Sequence, residues 1–167
     1  MHTGSPGHLK SFDYIGLHRY FVTFCTWQRV RLFVATDAVA LVRTHILRAA
    51  IDESFEILTY CFMPDHVHLL AQGESDCSNG RRFFSRAKQL SGFHYSKQFG
   101  RPLWQRYGYE RVLRDDEETL GIARYILENP VRGGLVRSAQ DYEFSGSTRY
   151  TIGEILDAVC WRGPRSG

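Results

Sequence analysis

His66 and His68 are separated by a single residue, Val67. On a β-strand, side chains at i and i+2 point to the same side of the sheet. Both imidazoles then face one way and Val67 the other. Two neutral imidazoles side by side make a half-site for a divalent cation, although the same pattern suits two histidines on a polar or half-buried face. A metal site needs a third ligand, and Tyr125 with Asn129 offers one. Four residues apart, they share one face of a helix. The Asn129 carboxamide oxygen could complete the site, with the Tyr125 phenol held beside it. The competing assignment is a core aromatic and an asparagine closing a helix before Pro130. The third cluster is basic. Between positions 81 and 114 stand Arg81, Arg82, Arg86, Lys88, Lys97, Arg101, Arg106, Arg111 and Arg114, against one carboxylate, Glu110. Interleaved are Phe83, Phe84, Phe93, Tyr95, Phe99, Trp104, Tyr107 and Tyr109. Cations with aromatic rings suit a groove for single-stranded nucleic acid: charge for phosphates, rings for unstacked bases. An amphipathic helix with a solvated basic face has the same composition. The nine-to-one imbalance, in a chain of net charge +3, favours phosphate binding.

The elements that must position these residues follow from periodicity and punctuation. RYFVTFCTW (19–27) alternates and is rich in β-branched and aromatic residues, predicting a first strand. Ala38, Leu41, Val42, His45, Ile46 and Ala49 recur at helical spacing, predicting a helix over about 37–53 capped by Thr36 or Asp37. FEILTYCF (55–62) and HVHLLAQ (66–72) read as antiparallel strands joined by a turn at Met63-Pro64-Asp65. A long helix is expected over about 81–99, weakened at Gly92 and ended by Gly100 and Pro102. YERVLRD (109–115) is a fourth strand. A third helix is expected over about 116–128, with Asp115, Asp116, Glu117 and Glu118 at its start and Asn129-Pro130 stopping it. The first six elements follow the β-α-β-β-α-β order of a ferredoxin-like α+β fold. Its single antiparallel sheet carries helices on one face. The other face is free to bind or to be covered by the tyrosine-bearing helix.

The 167 residues suit one domain spanning 1–167, with a core at about 14–150, a loose N-terminal arm (MHTGSPGHLK) and a loose C-terminal tail (RGPRSG). No apolar run approaches the ~18–20 residues of a membrane span. The N-terminus lacks the apolar centre of a secretory signal. Cys25, Cys61, Cys77 and Cys160 fit no zinc spacing, so reduced thiols in a cytoplasmic protein are expected.

The motifs together carry a resemblance. CFMPDHVHLL resembles the HUH motif (histidine, hydrophobic, histidine) of single-tyrosine transposases. LWQRYGYERVLRDDEETLGIARYILENPVRGGLV is similar to REP-associated tyrosine transposases, stand-alone relatives of small insertion-sequence transposases. YFVTFCTWQRVRLF and DYEFSGSTRY also resemble segments of that family, so the likeness spans about residues 19–150. It implies that His66, His68 and Asn129 ligate Mg²⁺ or Mn²⁺ and that Tyr125 is a nucleophile acting on single-stranded or hairpin DNA. Asp65 stands where the family often has asparagine. The family includes monomers and homodimers, in the latter of which the tyrosine helix can be exchanged. The implied reaction joins the tyrosine to a 5′ phosphate and frees a 3′ hydroxyl. The ester is conserved, so rejoining needs no ATP. Free phenols ionise near pH ~10, so such a nucleophile needs help at pH 7.

Two other functions compete. A non-catalytic module could bind single strands on a ferredoxin-like sheet, although the aromatic signature of an RNA-binding sheet is absent. A hydrolase activating water would need a carboxylate ligand, for which Glu56, Asp65 and Glu128 are nearest by sequence. Near the tyrosine helix, Arg132 and Arg137 are further candidates for DNA contact.

Overall fold

Alternation along three central strands sends side chains into two separate cores, one on each side of a sheet. In the computed structural model, which describes residues 12–160, the order is β1 (Arg19–Cys25), α1 (Thr36–Asp52), β2 (Phe55–Met63), β3 (His66–Gly73), α2 (Gly80–Phe99), β4 (Tyr109–Leu113), α3 (Asp116–Arg132), β5 (Ser145–Gly146) and α4 (Ile152–Cys160). The strands form one antiparallel sheet in the order β4-β1-β3-β2-β5. The fold is α+β, and its first six elements keep the expected β-α-β-β-α-β order.

Tyr20, Val22 and Phe24 of β1, with Val67, Leu69 and Ala71 of β3, face α1 and α2 in the larger core. The intervening positions face α3: Phe21 and Leu70 pack with Cys61, Met63, Ala123, Ile126 and Leu127. The tyrosine helix therefore covers the second face of the sheet. Full burial of each large aliphatic side chain there stabilises the fold by about 1.5–3 kcal/mol.

Several boundaries differ from the sequence reading, each for a physical reason. β1 ends at Cys25 rather than Trp27, because Thr26 turns inward: its amide and hydroxyl both donate to the Asp65 carbonyl. Trp27–Arg29 then form a single 3-10 turn, with Gln28 and Arg29 at positive φ. α1 begins at Thr36 and has no side-chain cap. α2 passes Gly92 unbroken, is capped by Asn79 and ends at Gly100 in the left-handed region.

The largest correction concerns α3. The expectation that Asn129-Pro130 stops it fails: the helix runs through Pro130 to Arg132. An internal proline costs ~3 kcal/mol or more. Here Pro130 is itself buried beside Ile126 and Leu127, and burial of that face holds the helix together. Its ladder resumes directly, with Gly133 N–H bonded to Asn129 O at 2.8 Å, and Gly134 at φ +72 turns the chain away.

β5 and α4 were not expected, and α4 lies beyond the anticipated 14–150 core. The proposed arm (1–10) and tail (162–167) lie outside the described residues. No described helix is long and apolar enough to cross a membrane. Cys25, Cys61 and Cys77 are free thiols.

Candidate active site beneath the tyrosine helix

The β1–β3 register places Thr23 opposite His68 and Cys25 opposite His66. Both histidines point to the α3 side, as their spacing requires, and Val67 is buried in the opposite core. Their Nε2 atoms lie 3.2 Å apart. Each Nδ1 is held from behind: His66 Nδ1 lies 2.7 Å from Asp65 Oδ1 and His68 Nδ1 lies 2.7 Å from Thr23 Oγ1. A carboxylate only accepts, so His66 donates through Nδ1 and keeps its Nε2 lone pair. The same tautomer for His68, donating to the threonine oxygen, aims both lone pairs at one point. A metal-binding histidine is ordinarily oriented in this way. Burial first, then the charges of His66, Arg132 and Arg29, push the His68 imidazole down to about 3. It is therefore neutral and able to donate a lone pair at pH 7.

Asp65 is anchored in turn by Arg29, whose Nε donates to Oδ2 at 2.9 Å. Burial would raise the Asp65 carboxyl, but hydrogen bonds from His66 and Arg29 outweigh it and hold it below the ordinary carboxylate value. Arg29 and Thr23 escape a sequence reading because only strand register and the 3-10 turn bring them to the histidines. Alternation does put Thr23 on the face of Phe21, but it cannot say which β3 residue lies opposite.

Tyr125 meets this pair within one chain. Its ring centroid lies 5.8 Å from that of His68 and 5.9 Å from that of Phe21, both edge-on. The residue is 44% exposed. Because α3 continues past Pro130, Asn129 stays one helical turn from Tyr125 on the same face. Among the described residues, no three His, Cys, Asp or Glu side chains converge to hold a metal. Asn129, of another residue type, lies on the helix that covers the pair. The three carboxylates nearest in sequence are engaged elsewhere: Asp65 as above, Glu56 with Arg149, and Glu128 with Arg124 and Arg132.

The basic segment is divided by the fold. Arg81, Lys88 and Arg106 line one cleft of about 800 Å³ between α2, β4 and the loop joining them, with Phe93, Trp104, Tyr107 and Tyr109. Phe93 and Tyr107 are exposed there, whereas the Tyr109 ring lies on the α3 side of the sheet, 5.7 Å from that of Phe21. Lys88 is turned inward, its amine donating to the Gln105 and Arg106 carbonyls, and burial lowers its pKa. It shapes the loop. Arg82 and Arg86 instead face α1, paired with Glu53 and Asp52, and Arg111 pairs with Glu118 of α3. Lys97 and Arg101 sit at the exposed far end of α2, and Arg114 is exposed between β4 and α3. The nine cations do not form one surface.

A family model described as "Transposase IS200 like" matches residues 15–129, a span that holds the histidine pair and closes on Asn129. The chain belongs to this transposase family. A Haemophilus influenzae protein named "Putative REP-associated tyrosine transposase" is 31% identical over 147 residues, covering 81% of this chain and 83% of its own. The REP-associated tyrosine transposase of Escherichia coli is 26% identical over 159 residues, covering 87% and 89%. A solved structure of a REP-associated tyrosine transposase bound to a REP hairpin superposes with a TM-score of 0.72 at 21% identity, covering 96% of this chain and 94% of that one. The fold and the membership among REP-associated tyrosine transposases thus agree with the motifs read from the sequence.

Proposed function

We propose that this transposase is a metal-dependent single-strand DNA endonuclease that cuts and rejoins hairpin DNA through a 5′-phosphotyrosine on Tyr125. One observation carries the reading: an exposed tyrosine packs edge-on against His68, whose Nε2 lies 3.2 Å from that of His66 while both Nδ1 atoms are tied back. A divalent cation, Mg²⁺ or Mn²⁺, bound by His66, His68 and Asn129 would neutralise charge on a non-bridging oxygen of the scissile phosphate. The chain's own residues do the rest. Thr23 and Asp65 fix the imidazoles so that no reorganisation accompanies binding. α3 holds Tyr125 over the pair, converting attack into a step between positioned groups. The Tyr125 Oη–phosphorus bond forms, the phosphorus–O3′ bond breaks, the phenol proton passes to solvent, and the departing 3′ oxygen takes up a proton. A 3′ hydroxyl attacking the phosphotyrosine reverses these changes and restores the strand.

The solved neighbour's REP hairpin supports hairpin DNA as substrate. The cleft holding Arg81, Phe93, Arg106 and Tyr107 supports contact with unpaired nucleotides. One chain supplies both the histidines and the tyrosine, so a monomer suffices for a complete site.

The test incubates purified protein with labelled DNA hairpins taken from repeats flanking its gene, with Mn²⁺, and resolves the products on a denaturing gel. A slow band lost with Tyr125→Phe, His66→Ala or a chelator supports the reading. Cleavage without a protein-linked band would indicate attack by water. Binding with neither product would indicate a module that binds DNA without cutting it.

A further inference from the structure

Arg132 is the last residue of α3, seven positions after Tyr125. On a helix, positions i, i+4 and i+7 share one face, so Tyr125, Asn129 and Arg132 form a single stripe. This alignment exists only because the helix passes through Pro130. A helix stopped at Glu128 would leave both Asn129 and Arg132 unplaced. Helical side chains lean toward the N-terminus, and the arginine reaches back over two turns. Its guanidinium carbon lies 4.4 Å from the centroid of the Tyr125 ring, over the ring face. Its Nη2 donates to the Tyr125 carbonyl, and its Nη1 lies 3.6 Å from Glu128 Oε2. Glu128 is held in turn by Arg124 at 2.9 Å.

Three constraints therefore act on one guanidinium: a ring below it, a carbonyl at one nitrogen and a carboxylate at another. An exposed ion pair alone would contribute little and would not choose this geometry. The planar fork matters, because only arginine can stack flat on a ring while donating in its own plane. Among the described residues, the two rings that meet the tyrosine, Phe21 and His68, do so edge-on, and nearly half its surface is open.

We infer that Arg132 is a positioning residue for the nucleophile, clamping the Tyr125 ring at the angle from which its hydroxyl reaches the scissile phosphate. This rests on Tyr125 being the nucleophile. It assigns Arg132 to the tyrosine rather than to the DNA backbone. Because a small misplacement of a reacting group can cost orders of magnitude in rate, the loss falls on the bond-forming step.

The experiment compares wild-type protein, Arg132→Met, Arg132→Lys and Tyr125→Phe on one hairpin with Mn²⁺. The single-turnover rate of adduct formation at saturating DNA is measured alongside the hairpin dissociation constant and the melting midpoint. Arg132→Met keeps the aliphatic stem and removes the guanidinium. Its adduct rate should fall roughly ten- to hundredfold, with affinity unchanged within about twofold and an unaltered midpoint. Arg132→Lys, which restores charge without the stack, should recover only part of the rate. A Met variant with wild-type rate overturns the inference, as does a rate loss matched by an equal loss of affinity, which would make Arg132 a phosphate contact. If wild-type protein forms no adduct, or Tyr125→Phe still does, the nucleophile assignment itself fails and the clamp with it.

Discussion

Two hydroxyl- and carboxylate-bearing residues do as much to define the site as the histidines themselves. Without Thr23, the His68 Nδ1 would lose its hydrogen bond of 2.7 Å, and the ring could turn. Thr23→Val keeps the shape and removes the oxygen. Mn²⁺ affinity, measured by isothermal titration calorimetry, should fall roughly 10- to 100-fold with the fold intact. An unchanged affinity would mean that packing alone orients the ring. At this scale the sequence reveals the donors but not what steadies them. His66 and His68 can be read from a period of two, and Tyr125 with Asn129 from a period of four. Thr23, Arg29 and Arg132 act through strand register, a 3-10 turn and a helix that outlasts its proline, none of which a local pattern encodes.

The elements were legible wherever the apolar period was strong. β2, β3 and α2 fall within a residue or so of their expected limits. α3 was misjudged at its end because local rules put a stop at Asn129-Pro130, while burial of Ile126, Leu127 and Pro130 against the sheet overrides them. β5 was missed because two residues give no period, and α4 because it follows a polar, Ser/Thr-rich stretch, 145–151, and is only nine residues long. The attachment of α3 is therefore a packing question. Ile126→Ala should destabilise the protein by about 2–5 kcal/mol in chemical denaturation. Adduct formation by the folded fraction should also fall, because the tyrosine rides on that helix. Between α1 and α2, His45 and His94 stack at 3.8 Å. Burial, then His94 and Arg48, lowers the His45 pKa below 6.5. The unfolded chain takes up this proton first. Stability from the pair is thus present above pH 6.5 and lost as pH falls through the lower folded value. His45→Asn should flatten the decline of the melting midpoint on acidification. An unaltered slope would place that pH dependence elsewhere.

At the scale of the whole molecule, the sheet separates two tasks. The α3 side carries the histidines and the tyrosine, while the cleft beside α2 and β4 gathers exposed rings with Arg81 and Arg106. The sequence showed the cations as one run, but folding pairs Arg82, Arg86 and Arg111 with carboxylates of α1 and α3. Arg106→Ala should weaken hairpin binding and reduce the salt slope of the binding constant by about 1. Arg86→Ala, whose guanidinium is engaged by Asp52, should leave both nearly unchanged. Equal effects from the two would mean that DNA displaces the Asp52 pair. The adduct formed with hairpin DNA and Mn²⁺ can be digested with nuclease and trypsin and read by tandem mass spectrometry. Trypsin cuts after Arg124 and Arg132, releasing YILENPVR, which contains a single tyrosine. A 5′-phosphonucleotide is expected on Tyr125 of that peptide. The same modification on Tyr107, Tyr109 or any other residue, with YILENPVR unmodified, would contradict it.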